Sequence, residues 1–137
     1  MMSIEQNKSL VLKYNKEVIE NCNMEVFKEI TTPDFINHST APGIAGDREG
    51  MIYFFSGILH LAFPGLKVEI LDSIAEGDKV TTRKIITGTH QGELFGIPAT
   101  GKAVRISVID ILTIENEKVK EHWGENNFAA VVQSLRA

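Results

Sequence analysis

The feature that most restricts the fold of this chain is a change of hydrophobic period at Pro64. Ahead of it, apolar side chains recur at helical spacing: Ile4, Val11, Tyr14, Val18 and Ile19 mark a first helix from Ser3 to about Asn21, opened by a Ser3/Gln6 capping box. Asn23 caps a short second helix carrying Met24, Phe27 and Ile30, which must stop before Pro33 because the residue ahead of a proline is pushed out of the α region. A loop is expected from Phe35 to Gly46, and Asp47 then caps a third helix whose stripe of Met51, Phe54, Phe55, Ile58, Leu59 and Ala62 needs a broad surface to cover it. Beyond Pro64 the period falls to two, predicting strands near 66–75, 79–90, 103–115 and 118–126, with turns at Glu76-Gly77-Asp78 and Glu115-Asn116-Glu117. The glycine-rich stretch between His90 and Ala103 reads as an excursion at the mouth of a barrel, and residues 128–135 as a closing helix. Helices followed by strands make an α+β protein, expected to form one domain over residues 1–137.

Composition narrows the partners. A net charge of −4 with scattered basic residues gives no footprint for nucleic acid or an anionic membrane. The N-terminal segment is interrupted by charges every few positions and no run approaches a membrane span, so a cytoplasmic protein is expected. Cys22 is the only cysteine and cannot form an internal disulfide. The four histidines lack metal-ligand spacing, and neither a phosphate loop nor a Gly-x-Ser-x-Gly nucleophile motif is present. No metal is therefore expected, and a small molecule is the expected partner.

The last hairpin gives geometry. With Asn116 and Glu117 as the two central turn residues, Glu115 pairs with Lys118, and counting outward sets Asp110 opposite Trp123 and Val108 opposite Glu125. The interior face would then carry Ile106, Val108, Asp110, Leu112 and Ile114 with Val119, Glu121, Trp123, Glu125 and Asn127, leaving His122 on the outside, in solvent or at a dimer contact. Asp110 lies in an apolar run. Its carboxyl is either raised in pKa and available as an acid or base, or a structural partner of Arg83 or Lys84 on the neighbouring strand. Trp123 could wall a flat ligand or simply fill the core. Arg83 could hold a ligand carboxylate or ester, or pair with Asp110 or Glu125. His60 reads as packing or surface, and His90 as a cap on backbone carbonyls.

Phe63-Pro64-Gly65-Leu66, the Glu76-Gly77-Asp78 turn, Arg83, Gly88-Thr89-His90-Gln91-Gly92-Glu93, Gly96 to Gly101 and Glu121-His122-Trp123 resemble, in order and spacing, the SnoaL-like polyketide cyclases. The resemblance implies a nuclear transport factor 2-like (cystatin-like) fold, a cone-shaped α+β barrel with helices packed on a strongly curved, mainly antiparallel sheet. It also implies a homodimer and an intramolecular aldol condensation of a polyketide methyl ester without metal or organic cofactor. The family's acid/base aspartate on the last strand is matched here by Asn127, an amide that cannot exchange protons as a carboxylate does. Glu125 and Asp110 are then the carboxylates to which that role could move, with His38, matched to the histidine after the second helix, placed at the cavity rim. Trp123, Arg83, Phe54 and Phe55 are the candidate substrate contacts. Two other readings stand beside catalysis: a binding module that carries an apolar ligand, and a dimeric scaffold whose cavity is filled by Phe54, Phe55, Phe63 and Trp123.

Overall fold

The computed structural model describes residues 3–136. Helix α1 (Ile4–Lys13) is capped by Ser3 and Gln6 reciprocally and runs on without a break into a π-helical segment, π1 (Tyr14–Glu20). After α2 (Met24–Ile30), capped by the Asn23 side chain, comes strand β1 (Thr31–Asn37). The third helix is composite: α3 (Arg48–Ile52), capped by Asp47, widens into π2 (Tyr53–Leu59) and closes with the turn α4 (His60–Ala62). Strands β2 (Lys67–Glu76), β3 (Lys79–Thr89), β4 (Ala103–Glu115) and β5 (Lys118–Asn126) follow, then α5 (Phe128–Leu135).

The five strands form one sheet in the order β1-β5-β4-β3-β2, antiparallel except where β1 runs parallel to β5. The helices cover one face. Their apolar stripes (Val11, Val18, Phe27, Phe55, Leu59) meet the inward side chains of the strands (Val80, Ile86, Ile106, Leu112, Val119), and this contact is the core. Strand β1 departs from the sequence reading, which runs the second helix up to Pro33 and begins a loop at Phe35. Its period-two signal is weak because it pairs on one side only, and between Thr31 and Ile36 the pairing with β5 shifts register around Pro33, which has no N–H to give.

The register of the last hairpin also departs from expectation. The turn is as read: Glu115 faces Lys118, and Asn116 and Glu117 both take positive φ, 51° and 64°. One step further the count fails, because Ile114 pairs with Val119 but Thr113 pairs with Glu121, leaving Lys120 as an extra residue in β5. From that bulge onward β5 shows the opposite face. Asp110 faces Gly124, Leu112 faces His122 and Val108 faces Asn126, whereas Trp123, Glu125 and Glu121 join Ile111, Ile109 and Thr113 on the outer face. The assignment of β4 holds, and that of β5 beyond the bulge is inverted.

Candidate functional site

The concave face of the sheet, π1, π2, α5 and the loop at 39–44 enclose a cavity of about 490 Å³. Its walls are largely apolar, with Met51, Phe54, Phe55, Ile86, Ile106 and Phe128 among them, and Phe54 meets Phe128 edge-on at 5.8 Å. A wider groove lies beside the hairpin turns, lined by Asn7, Gly77, Asp78 and Glu117, and contains no buried ionisable group. The cavity under the helices is where polar chemistry gathers.

Asp110 is its centre. The strand register puts Thr82 of β3 directly opposite, and the Thr82 hydroxyl donates to Asp110 Oδ1 at 2.5 Å. Lys84, two residues along the same strand, donates from Nζ to Asp110 Oδ2 at 2.7 Å and to Asn15 Oδ1 of π1 at 2.7 Å. Both ions are buried, 3% and 2% exposed, so the pair is held by mutual attraction plus fixed dipoles rather than by water. Burial alone pushes the Asp110 carboxyl up, but the Lys84 ammonium, with the His122 ring close by, outweighs it and holds the group well below the usual carboxylate range. The expected raised carboxyl is thus corrected: of the two readings, the Lys84 partnership is the one the geometry shows. An anchored, ionised Asp110 orients its neighbours.

The group it orients is His122. Nε2 stands 3.5 Å from Asp110 Oδ2, and Nδ1 is 2.8 Å from Asn37 Oδ1 of β1. That same Asn37 oxygen accepts the Ser39 backbone N–H at 3.0 Å, which identifies it as oxygen. His122 Nδ1 must therefore be the donor, and Nε2 is left beside Asp110 as the exchangeable position. Gly124 makes the arrangement possible. The ring lies over it, and a Cβ there would come within 3.1 Å of His122 Cε1.

The remaining candidates divide by face. Asp110, Phe54 and Phe55 line the cavity. Trp123, Glu125, Arg83 and His38 do not: Arg83 pairs with Asp72 at 2.6 Å in the open, and His38 stacks on Trp123 with ring centroids 4.6 Å apart while its Nε2 meets Glu121 at 2.9 Å. Trp123 thus neither fills the core nor walls the cavity, and the inverted β5 face is the cause. Asn127, at the start of α5, is tied to β4, its Oδ1 accepting the Ser107 backbone N–H at 2.9 Å. His90 is buried against Thr100, and His60 bonds to the Ile19 carbonyl. Sequence reasoning put His122 outside and gave Asn37, Gly124 and Tyr14 no role in a site. A glycine inside a strand was the available signal, since it marks a bulge or a close approach. Among the described residues no group of three His, Cys, Asp or Glu side chains could hold a metal ion. No described helix is long and apolar enough to cross a membrane.

Comparison with known proteins then decides the family. The model of the SnoaL-like polyketide cyclases matches residues 9–135. This chain belongs to that family. Among solved structures, a protein from Jannaschia sp. CCS1 assigned as a SnoaL-like polyketide cyclase superposes with a TM-score of 0.85 at 27% identity, covering 100% of this chain and 96% of the other. A protein from Acidithiobacillus ferrooxidans assigned as a polyketide cyclase gives 0.83 at 27% identity, with 98% of each chain covered. AclR from Streptomyces galilaeus, assigned as a hydroxylase, gives 0.85 at 28% identity over 98% of this chain and 83% of its own. No curated protein matches the chain by sequence. Family membership accounts for the helices on a curved five-stranded sheet, while the mixed assignments of its relatives show that the fold does not dictate one reaction.

Proposed function

We propose that this chain is a cyclase-type enzyme acting on a small, neutral, hydrophobic carbonyl compound, with His122 Nε2 as the acid/base and Asp110 as the positioning residue. The observation that carries this reading is the fixed tautomer. Asn37 holds the Nδ1 proton, so Nε2 can take a proton from carbon next to a substrate carbonyl, and the ionised Asp110 then stabilises the imidazolium. The C–H electron pair moves onto the carbonyl oxygen, and the enolate carbon attacks a second carbonyl of the same molecule. The new alkoxide takes back the proton from Nε2. No electrons are lost, so the cycle needs no oxidant or metal, in keeping with an aldol ring closure. Neither Glu125 on the outer face nor Asn127 against β4 is given a part in it.

The test is ring closure of an aromatic polyketide methyl ester, followed by chromatography with mass spectrometry. Wild type is expected to turn it over, His122→Gln to fall by at least about 10²-fold, and Asn127→Asp to stay near the wild-type rate. Full activity in His122→Gln would sink the assignment. Silence in wild type with activity in Asn127→Asp would mean a cavity that binds but has lost its acid. We further propose a single cytoplasmic domain that pairs into a homodimer through the outer sheet face, where Ile74 and Ile109 are 66% and 51% exposed. Sedimentation at the mass of one chain would refute the dimer.

A further inference from the structure

Tyr14 opens π1 with its ring held edge-on by Phe27 and Phe55, at centroid distances of 6.1 and 6.4 Å. The residue is 1% exposed and lines the cavity, yet its hydroxyl has no hydrogen-bond partner. It is the only cavity-lining residue, among the described ones, with a buried side-chain polar atom left unpaired. Leaving a buried hydroxyl unpaired costs stability, and the polar groups around Asp110 are paired among themselves without it: Asp110 with Thr82 and Lys84, and Asn15 with Lys84 and the Val11 carbonyl. Burial, and after it the negative charge of Asp110, push the phenol far above its ordinary pKa, so the group remains an O–H. A neutral, unpaired donor shielded within the wall of a cavity is satisfied by an acceptor oxygen that reaches it.

Resting on the reading of this cavity as a small-molecule site, we propose that Tyr14 is its substrate-anchoring residue, donating its O–H to a carbonyl oxygen of the ligand. The charges nearby narrow the class further. Lys84 is already paired with Asp110 within the wall and is not free to take an incoming anion; Arg136 is the other basic residue of the lining, and a neutral ketone or ester needs neither as a counter-ion. The anchored carbonyl would sit near Asp110, whose charge reaches the phenol and which also flanks His122, so an enolate formed next to it has a donor waiting.

The experiment uses 1-tetralone and its carbonyl-free counterpart tetralin as probes on the wild type, Tyr14→Phe and His122→Gln proteins. Binding is read by titration calorimetry, and the bound ketone by its infrared carbonyl stretch. Wild type is expected to hold tetralone about threefold to tenfold more tightly than Tyr14→Phe does, with no difference for tetralin. The stretch should lie below its value in a hydrocarbon solvent in wild type and in His122→Gln, and return toward that value in Tyr14→Phe. Melting of Tyr14→Phe should occur no lower than wild type, because the hydroxyl has no partner to lose. Equal affinity of both proteins for tetralone, an unshifted stretch in wild type, no saturable uptake of tetralone, or a lower melting temperature in Tyr14→Phe would each overturn the proposal. Because nothing turns over here, failure of this anchor and failure of His122 as acid/base are read separately.

Discussion

Two histidine–carboxylate pairs flank the same short stretch of β5, one on each face of the sheet. On the outside, His38 Nε2 and Glu121 Oε2 are 2.9 Å apart, the ring lies flat on Trp123, and Lys79 Nζ sits 5.2 Å from the Trp123 ring centre. On the inside, His122 Nε2 and Asp110 Oδ2 are 3.5 Å apart. By distance the outer pair is the better one. Its side chains are 34% and 26% exposed, however, so water screens the attraction and competes for both groups, whereas Asp110 is 3% exposed and its other contacts are fixed dipoles and a buried ammonium. Enclosure rather than proximity distinguishes a group poised for chemistry from one that decorates a surface.

The comparison is tested most severely at Lys84. Lys84→Met removes the cation buried against Asp110 and leaves an uncompensated charge, which should cost about 3–5 kcal/mol by urea denaturation. The double variant Lys84→Met/Asp110→Leu should recover much of that loss, but not all, since Asn15 Oδ1 and the Thr82 hydroxyl keep no partner. Acid denaturation gives the same answer by another route. A carboxyl depressed in the folded state stabilises it above the unfolded pKa of about 4, and that contribution is lost as pH falls from there toward the folded value. Wild type should therefore lose stability steadily below about pH 4, and Asp110→Asn should show a shallower decline. Parallel declines would mean that the inner pair is no more special than the outer one.

How much of this was legible from sequence depends on which signals are local. The change of period at Pro64, the caps at Ser3, Asn23 and Asp47, and the turn at Asn116-Glu117 are written in adjacent residues, and each has its counterpart in the structure. The alternation along β4 set Asp110 inside, and the carboxylate's need for a cation pointed to β3, where Lys84 supplies it. What failed was one residue. The extra Lys120 in β5 leaves no mark in hydropathy, because Glu121, His122 and Trp123 mix polar and aromatic character on both faces, and so every β5 assignment past it was inverted. Asn37 was out of reach for a different reason: its role depends on a parallel pairing across 85 residues, which no local pattern encodes. The unpaired Tyr14 hydroxyl is likewise an absence of partners, which only a full three-dimensional environment defines.

The smallest effect belongs to the outer pair, and its smallness is informative. His38→Ala removes an exposed ion pair and a flat stack on Trp123, while the backbone N–H of residue 38 still donates to the His122 carbonyl, so β1 stays registered on β5. The stability loss should be about 0.2–1 kcal/mol, and less at high salt. Ring closure should proceed at the wild-type rate, because no His38 atom borders the cavity. A loss of turnover comparable to that of His122→Gln, without a matching loss of stability, would mean that the outer face takes part in the chemistry, through a partner chain or a moved β1. The distinction between enclosed and exposed pairs would then have to be redrawn at the level of the assembly.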